Sequence, residues 1–284
     1  MGPAATSVSI LVVQGPEATA LRALALAEMS GAAAHEAIGA GAWRLHGATR
    51  RDGVAAWCDA HRLDHAWVPE GRRFADLKLL AMDMDSTLIT IECIDEIGAF
   101  ANKKAEVAAI TAQAMRGEID YPASLRQRVA LLAGLDENVL EDVYDEKLRL
   151  SPGAEQLVAS CKHHGIKILL VSGGFSFFTE RLKERLGLDE TISNVLEIDN
   201  GKLSGRVLGT VVDADAKAAK FKQMAQRLGA TREQTVAIGD GANDLKMMAA
   251  AGVSIAYRAK PVVRAKATYA LNYAGLDGVI NLFA

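Results

Sequence analysis

The chain has 284 residues, of which half are hydrophobic and 24% are charged, which is the balance of a soluble globular protein. Its formal net charge of −3 gives no electrostatic reason to expect nucleic acid or an anionic membrane surface as a partner. The sequence shows no membrane-spanning run, no signal peptide and no paired cysteine motif, so a cytoplasmic protein without structural zinc is expected.

Residues 1–76 are predicted to form a small α+β domain of their own. Strands and helices are expected in the order β-α-β(β)-α-β, over residues 7–13, 17–29, 35–46, 53–62 and 65–68. The first helix is expected to begin with an acid in its first turn. This order suits a ferredoxin-like sandwich, and the segment 69–73 is predicted to be the linker to the next domain.

From residue 77 onward, buried strands alternate with helices, which favours a parallel sheet. Strands are predicted over 78–82, 167–171, 235–238 and 253–256, and a β-hairpin is predicted over 195–209 with its turn at 199–201. The segment between the first two strands is longer than one crossover helix needs, with helices expected over 91–115, 124–133 and 137–149. The sequence therefore predicts a core domain over 77–284 with an inserted helical cap at about 91–150.

Three of the predicted strands end directly in polar or glycine-rich segments: 83–88 (DMDSTL), 172–174 (SGG) and 239–244 (GDGAND). Because ligands of open α/β sheets bind beyond the carboxyl ends of the strands, these segments are expected to converge. Asp83 and Asp85 can supply a nucleophile and a proton-transfer group if a divalent cation restrains their mutual repulsion. The pattern predicts a magnesium-dependent hydrolase with an aspartyl-phosphate intermediate.

Together with Lys217, these segments resemble, in order and spacing, the four motifs of the haloacid dehalogenase superfamily. Within that superfamily, the segments 83–96, 124–129, 171–175 and 239–244 resemble the phosphoserine phosphatases. The resemblance covers about residues 77–284 and implies a Rossmann-like parallel-sheet core with a helical cap. It further implies phosphoserine as the small-molecule substrate, hydrolysed to serine and phosphate in the last step of serine biosynthesis.

The resemblance also implies a role for each matching catalytic residue. Asp83 would be the nucleophile, Asp85 the acid and then the base, and Lys217 a positive charge at the phosphoryl group. One Mg²⁺ would be held by Asp83, Asp85 (through its backbone carbonyl) and Asp240. Asp244 would orient Lys217 or the shell around the metal.

Substrate selectivity is expected from the cap side of the site. By the same resemblance, Glu92 would bind the amino group of phosphoserine and Arg126 its carboxylate. The other implied substrate-binding residues are Met115, Tyr121, Ser172, Gly173, Gly174, Lys217 and Asn243. A simpler reading stays open for three of these residues. Glu92 could be an acid that opens a helix, where the helix dipole favours it, Arg126 could be a surface residue of an amphipathic helix, and Lys217 could be a solvated charge at a helix start.

Two other functions also stay open. The chain could be a related phosphatase or phosphotransferase that acts on another small ester, such as phosphothreonine or phosphohomoserine. It could instead be a non-catalytic amino-acid sensor, because the element order of residues 1–76 resembles a single, divergent ACT-like domain. That domain would then mediate homodimer formation or feedback by serine. Against the sensor, every charged catalytic position is intact.

Overall fold

The computed structural model describes residues 9–283, which contain a four-stranded and a seven-stranded sheet. The N-terminal elements are β1 (Ser9–Gln14), α1 (Ala20–Ser30), β2 (Ala34–Gly39), β3 (Ala42–His46), α2 (Val54–Ala60) and β4 (Asp64–Pro69). The four strands form an antiparallel sheet in the spatial order β2-β3-β1-β4, so the element order matches the predicted ferredoxin-like sandwich. Positions 7 and 8 of the first predicted strand lie outside the described residues.

The start of α1 differs from its prediction. The helix begins at Ala20 rather than at Glu17, and Thr19 is its N-cap, with a side chain that accepts a hydrogen bond from the Arg22 amide. Threonine at this position satisfies one of the free amides of the first turn, and the first turn contains no acid. Glu17 lies before the helix and pairs with Arg22 at 2.7 Å.

Strand β1 is apolar on both faces because both faces of its sheet are covered. Leu11 and Val13 belong to one apolar cluster together with residues of α1 and α2. Ile10 and Val12 point the other way and belong to the main apolar cluster of the C-terminal domain. The smaller sheet therefore lies between its own helices and the larger domain.

The larger sheet is parallel except for one edge strand. Its strands are β5 (Leu79–Met82), β6 (Lys167–Phe175), β7 (Glu190–Asp199), β8 (Lys202–Leu208), β9 (Thr235–Gly239), β10 (Val253–Tyr257) and β11 (Tyr269–Leu271). They lie in the order β11-β10-β9-β5-β6-β7-β8, and only β8 pairs antiparallel, in the predicted hairpin with β7. The α/β parallel-sheet fold is confirmed, and β5 lies between β6 and β9, where the strand order reverses.

Helices cover both the sheet and its carboxyl edge. They are α3 (Cys93–Phe100), α4 (Lys104–Met115), α5 (Tyr121–Ala130), α6 (Asn138–Asp142), α7 (Ala154–His163), α8 (Ser176–Leu186), α9 (Ala214–Arg227), α10 (Leu245–Ala250), α11 (Pro261–Arg264) and α12 (Gly278–Asn281). A π-helical turn, Val143–Lys147, follows α6 directly. Over residues 9–283, no helix combines the length and the apolar character that crossing a membrane requires.

The helix predicted over 91–115 is in fact two helices. The chain reverses between α3 and α4, where Asn102 takes a left-handed conformation with φ 55° and the Lys103 amide donates to the Gly98 carbonyl. At Gly98, a Cβ atom would approach a methyl group of Val107 to 3.0 Å. The glycine therefore lets the two helices lie close together.

A buried carboxylate joins the two domains. Asp64, at the start of β4, accepts hydrogen bonds from the backbone amides of Asn272, Tyr273 and Ala274 at 2.7, 3.0 and 2.8 Å. Burial raises the pKa of Asp64, while these three amides lower it. Nearby, Phe74 of the connecting segment packs edge-on against Phe283.

Candidate active site

A cavity of about 640 Å³ lies between the carboxyl edge of the larger sheet and the helices α3, α4 and α5, which are called the cap helices below. The sheet side contributes the ends of β5, β6 and β9, including Asp83, Asp85, Gly173, Gly174, Asp240 and Asn243. The cap side contributes Glu92, Tyr121 and Arg128. The three strand-end segments therefore converge, as the parallel sheet requires.

The turn after β5 points its two aspartates in different directions. Asp83 caps the turn and accepts a hydrogen bond from the Met84 amide at 2.8 Å. Asp85 has an extended backbone, and Ser86 follows in the left-handed region with φ 55°. Asp85 consequently directs its carboxylate to the cap, where it accepts a hydrogen bond from the Cys93 amide at 2.9 Å.

Lys217 is buried at the centre of the site. It lies in the first turn of α9, and its Nζ atom is 2.9 Å from Asp83 Oδ1 and 2.8 Å from Asp244 Oδ1. Burial alone would lower the pKa of Lys217, but the carboxylates of Asp244 and Asp83 raise it, so the side chain stays charged. The structure thus contradicts the reading of Lys217 as a solvated helix start.

Asp244 holds this lysine in place, because its other oxygen, Oδ2, accepts a hydrogen bond from the Gly241 amide at 3.1 Å. Its carboxylate is fully buried. Asp83 Oδ1 accepts a hydrogen bond from the Met84 amide and forms the ion pair with Lys217. Asp83 Oδ2, by contrast, accepts no hydrogen bond from any of residues 9–283. One oxygen of Asp83 is therefore left for chemistry.

The carboxylates of the site can hold a metal ion. Oxygen atoms of Asp83, Asp240 and Asp244 all lie within 4.8 Å of one another. Such an all-oxygen donor set suits Mg²⁺. Burial and then the charge of Asp244 raise the pKa of Asp240 to about 6, and the same two causes raise that of Asp83. Among residues 9–283, Lys217 is the one cation that forms an ion pair with any of these acids, so a divalent cation fits the site.

Magnesium is expected to raise the melting temperature, and to do so more at pH 8 than at pH 5. In the metal-free folded state, the raised pKa of Asp240 makes its ionised form unfavourable, so this group lowers stability progressively as the pH rises to about 6. Bound metal removes that penalty, whereas protons compete with the metal at low pH. At 100 times Kd, the gain at pH 8 is about 2.7 kcal/mol, or roughly 5 °C.

Thermal denaturation with Mg²⁺ or with a chelator, from pH 5 to pH 8, measures this effect. Asp240→Asn should lose most of the magnesium-dependent shift at pH 8. An equal shift at both ends of the pH range would contradict the assignment of Asp240 to the metal site.

Asp85 is suited to carry a proton near neutral pH. Burial and then the negative charge of Glu92 raise its pKa to about 7, and the Cys93 amide lowers it. Glu92 itself accepts a hydrogen bond from the Ser86 hydroxyl at 2.6 Å and lines the cavity. A carboxyl group with this pKa can both donate and accept a proton during a reaction cycle.

Strand β6 runs four residues beyond its predicted end at 171, and the glycines in this last part allow close contacts on both sides of the segment 172–174. The Gly173 carbonyl accepts hydrogen bonds from the Tyr121 hydroxyl at 3.0 Å and from Asn194 Nδ2 at 2.7 Å. A Cβ atom at Gly173 would lie only 2.1 Å from that hydroxyl, and one at Gly174 would lie 2.7 Å from Asp85 Oδ2. The hydroxyl of Tyr121 therefore ties the cap to the sheet.

Ser172 is fully buried, and its Oγ atom accepts a hydrogen bond from the Gly174 amide at 2.8 Å. This hydrogen bond stabilises the segment 172–174. Contact of Ser172, Gly173 and Gly174 with phosphate oxygens stays a prediction. Asn243 lines the cavity, while Met115 is the last residue of α4 and its side chain lies outside the described part of the structure.

The prediction for Arg126 is wrong in position. Arg126 is exposed on the outer surface of α5, as the amphipathic-helix reading allowed, whereas Arg128 is half-buried and lines the cavity. The helical repeat explains the difference: Arg128 is seven residues, about two turns, after Tyr121, which also lines the cavity. Arg126 is five residues after Tyr121, on a different face.

Lys260 is a second cavity residue that the sequence motifs did not indicate. It precedes α11 and lines the cavity, and its backbone amide donates a hydrogen bond to the Asp240 carbonyl at 3.2 Å. No residue pattern around Lys260 marks it, because its position depends on the pairing of β10 with β9.

Comparison with known proteins agrees with this geometry. The family model for haloacid dehalogenase-like hydrolases matches residues 80–249, and a domain of unknown function (DUF4072) matches residues 11–54. The phosphoserine phosphatase of Polaromonas sp. is 54% identical over 215 residues, which are 74% of this chain and 91% of that protein.

Two solved structures are similar over different parts of the chain. The unliganded structure of a probable phosphoserine phosphatase from Vibrio cholerae matches with 40% identity and a TM-score of 0.85, over 97% of this chain and 86% of that chain. A substrate-bound phosphoserine phosphatase complex matches with 38% identity and a TM-score of 0.69, over 73% of this chain and 99% of that chain. The first similarity therefore extends over both sheets.

Proposed function

Because the chain belongs to the haloacid dehalogenase-like hydrolases, and within them to the phosphoserine phosphatases, we propose that it hydrolyses O-phospho-L-serine through an aspartyl-phosphate on Asp83, with Mg²⁺ as cofactor. The observation that carries this proposal is the cavity itself. Its floor holds Asp83, which the buried Lys217 contacts from behind, and its cap side presents an acid, Glu92, and a base, Arg128. A substrate with a phosphate at one end and an ammonium and a carboxylate at the other matches these charges.

In the first step, Asp83 Oδ2 attacks phosphorus and the bond from phosphorus to the serine oxygen breaks. Asp85 gives its proton to that departing oxygen, which leaves as the serine hydroxyl. In the second step, Asp85 takes a proton from the water that attacks the aspartyl-phosphate. Inorganic phosphate leaves, and both carboxyl groups return to their initial states.

Lys217 and the metal site would offset the repulsion between the phosphate dianion and the carboxylates. Lys217 supplies a fixed charge beside the attacking oxygen, and Asp244 holds that lysine in position. Asp83, the Asp85 carbonyl and Asp240 would hold Mg²⁺, which supplies electrostatic stabilisation of the phosphoryl oxygens when bound.

Arg128 takes the place of Arg126 as the proposed carboxylate-binding residue. An arginine can hold a carboxylate with two parallel N–H donors, and the acid of Glu92 can accept the ammonium of the substrate. Since both residues line the cavity from the cap side, they would recognise the amino-acid end of phosphoserine while its phosphate lies over Asp83.

Arg128→Ala is expected to lower kcat/KM for phosphoserine by about two orders of magnitude, or roughly 3 kcal/mol, because a bidentate charged contact is lost. Arg126→Ala is the matched control, since it removes an exposed arginine from the same helix, and it should stay within about twofold of the parent. Steady-state kinetics on both variants measure the difference. A larger loss in Arg126→Ala, or equal losses in both, would contradict this assignment.

Phosphate release from phosphoserine, phosphothreonine and a sugar phosphate, each with Mg²⁺ or a chelator, tests the proposed function. We expect metal-dependent release that favours phosphoserine by at least about tenfold. Preference for another ester would keep the mechanism and favour the related phosphatase. The absence of release from all three would favour the non-catalytic sensor.

We also propose that the chain acts in the last step of serine biosynthesis, in the cytoplasm. Residues 1–76 would form an ACT-like domain, and residues 77–284 the catalytic domain, with its cap at about 91–150. A homodimer through the N-terminal domain is supported by the outer face of α1, where Leu21 and Leu24 are exposed. Sedimentation of the full chain would reveal a monomer if this proposal is wrong.

A further inference from the structure

A second cavity, of about 630 Å³, lies where the N-terminal domain meets the C-terminal segment. Three arginines line it, Arg62 from the N-terminal domain and Arg258 and Arg264 from the larger domain. We call this cavity the arginine cleft. Its remaining lining residues are Pro16, Glu17, Ala259, Asn272 and Tyr273.

The arginines of the arginine cleft have no carboxylate paired with them in the described part of the chain, and the nearby Asp59 and Asp64 are hydrogen-bonded to the residues 272–274. Among residues 9–283, none of the three arginines forms an ion pair; Arg62 instead lies over the ring of Tyr273 and Arg258 over that of Tyr257. The one acid in the lining, Glu17, is paired with Arg22 at 2.7 Å. Three guanidinium groups thus face one cavity in a chain whose net charge is −3.

Hydrogen bonds to the backbone fix the segments that form the walls of the arginine cleft. Asp64 fixes the segment that carries Asn272 and Tyr273, through the hydrogen bonds already described. Arg62 and Arg258 both have left-handed backbones, with φ 56° and 46°, and the Arg258 amide donates to the Leu271 carbonyl at 2.7 Å. Residues with side chains keep this conformation only where their surroundings impose it.

We propose that the arginine cleft binds a small organic anion that carries at least two negative charges on phosphate or carboxylate groups. Guanidinium groups recognise both kinds of group through paired N–H donors. The cavity is far larger than one phosphate ion, so it can accommodate a metabolite-sized molecule. Two domains contribute the arginines, so a bound anion would contact both.

The arginine cleft also lies close to the catalytic cavity along the chain. Arg258 lines the arginine cleft, and Lys260, two residues later, lines the catalytic cavity. The Lys260 amide contacts the Asp240 carbonyl. An anion on Arg258 would therefore be one short backbone segment away from a residue of the proposed metal site.

Tryptophan fluorescence provides a readout confined to the N-terminal domain. All three tryptophans of the chain, Trp43, Trp57 and Trp67, lie in that domain, and Trp57 stacks on His61, next to Arg62. Inorganic phosphate and succinate would be titrated separately into the full chain, with a chelator present and with chloride at equal ionic strength as the reference. Because no substrate or turnover is involved, the result does not depend on the proposed phosphatase reaction.

We expect a saturable fluorescence change with at least one of the two anions, and the preferred one identifies the head group. The double variant Arg62→Gln/Arg264→Gln should weaken that affinity by at least about tenfold, while Arg126→Gln, which removes an exposed charge elsewhere, should leave it unchanged. Circular dichroism would verify that the double variant is folded. The absence of saturation with both anions, or the same affinity in the double variant and the parent, would overturn the proposal.

Discussion

Asp83→Asn is expected to abolish turnover, with a fall in kcat on the order of 10⁴-fold or more. The amide has nearly the size of the carboxylate but is not a nucleophile, so the aspartyl-phosphate cannot form. The fold should survive because the side-chain carbonyl of Asn can still accept the hydrogen bond that the Met84 amide donates to Asp83 Oδ1. Phosphate release under single-turnover conditions measures the residual rate.

Asp215→Asn provides a matched control for this change. Asp215 lies at the rim of the same cavity, but its side chain is 74% exposed and pairs with Lys246 rather than with Lys217. Its replacement should alter kcat by less than about twofold. If Asp83→Asn released phosphate at a rate comparable with the control, catalysis would not proceed through a covalent intermediate on Asp83.

Lys217→Met is expected to reduce both activity and stability. Without the ammonium, the carboxylates of Asp83 and Asp244 are left buried with no positive partner, which should lower the free energy of unfolding by about 3–5 kcal/mol. The same change removes the fixed charge beside the phosphoryl group, so kcat/KM should fall by roughly 10³-fold. Urea denaturation and steady-state kinetics give the two values separately.

The pH dependence distinguishes this mechanism from a simple packing defect. Protonation of the unpaired carboxylates relieves their burial, so the loss of stability in Lys217→Met should be smaller at pH 5 than at pH 8. Lys222→Met, on the exposed side of the same helix, should leave stability and kinetics within experimental error at both pH values. A pH-independent loss in Lys217→Met would indicate that packing, rather than charge, is what the lysine supplies.

The parts of the site that the sequence predicted are those next to buried strands. Asp83, Ser172 and Asp240 each follow an apolar run, and parallel strands bring their carboxyl ends to one edge, so their convergence could be inferred without coordinates. Arg128 could also have been found, because the helical repeat places it two turns from Tyr121 on the same face. The motif resemblance instead pointed to Arg126, two residues before the arginine that lines the cavity.

Other features depend on contacts between distant parts of the chain. Asp64 meets the backbone of residues 272–274 across about two hundred positions, and nothing near Asp64 in the sequence marks that partner. Strand β11 has only three residues, too few for a periodic pattern, and its backbone pairs with β10. The break between α3 and α4 likewise depends on the fit of Gly98 against Val107.

The junction between the domains suggests how the chain would behave if it were cut. Arg73 is exposed in the segment that connects the domains, so trypsin-like proteases have a target there. Cleavage of the peptide bond after Arg73 would leave the non-covalent contacts between the domains in place. These are the hydrogen bonds of Asp64 and the packing of Ile10 and Val12 in the main apolar cluster. A nicked protein should therefore stay assembled, and the two fragments, produced as separate polypeptides, should reconstitute a split enzyme by complementation.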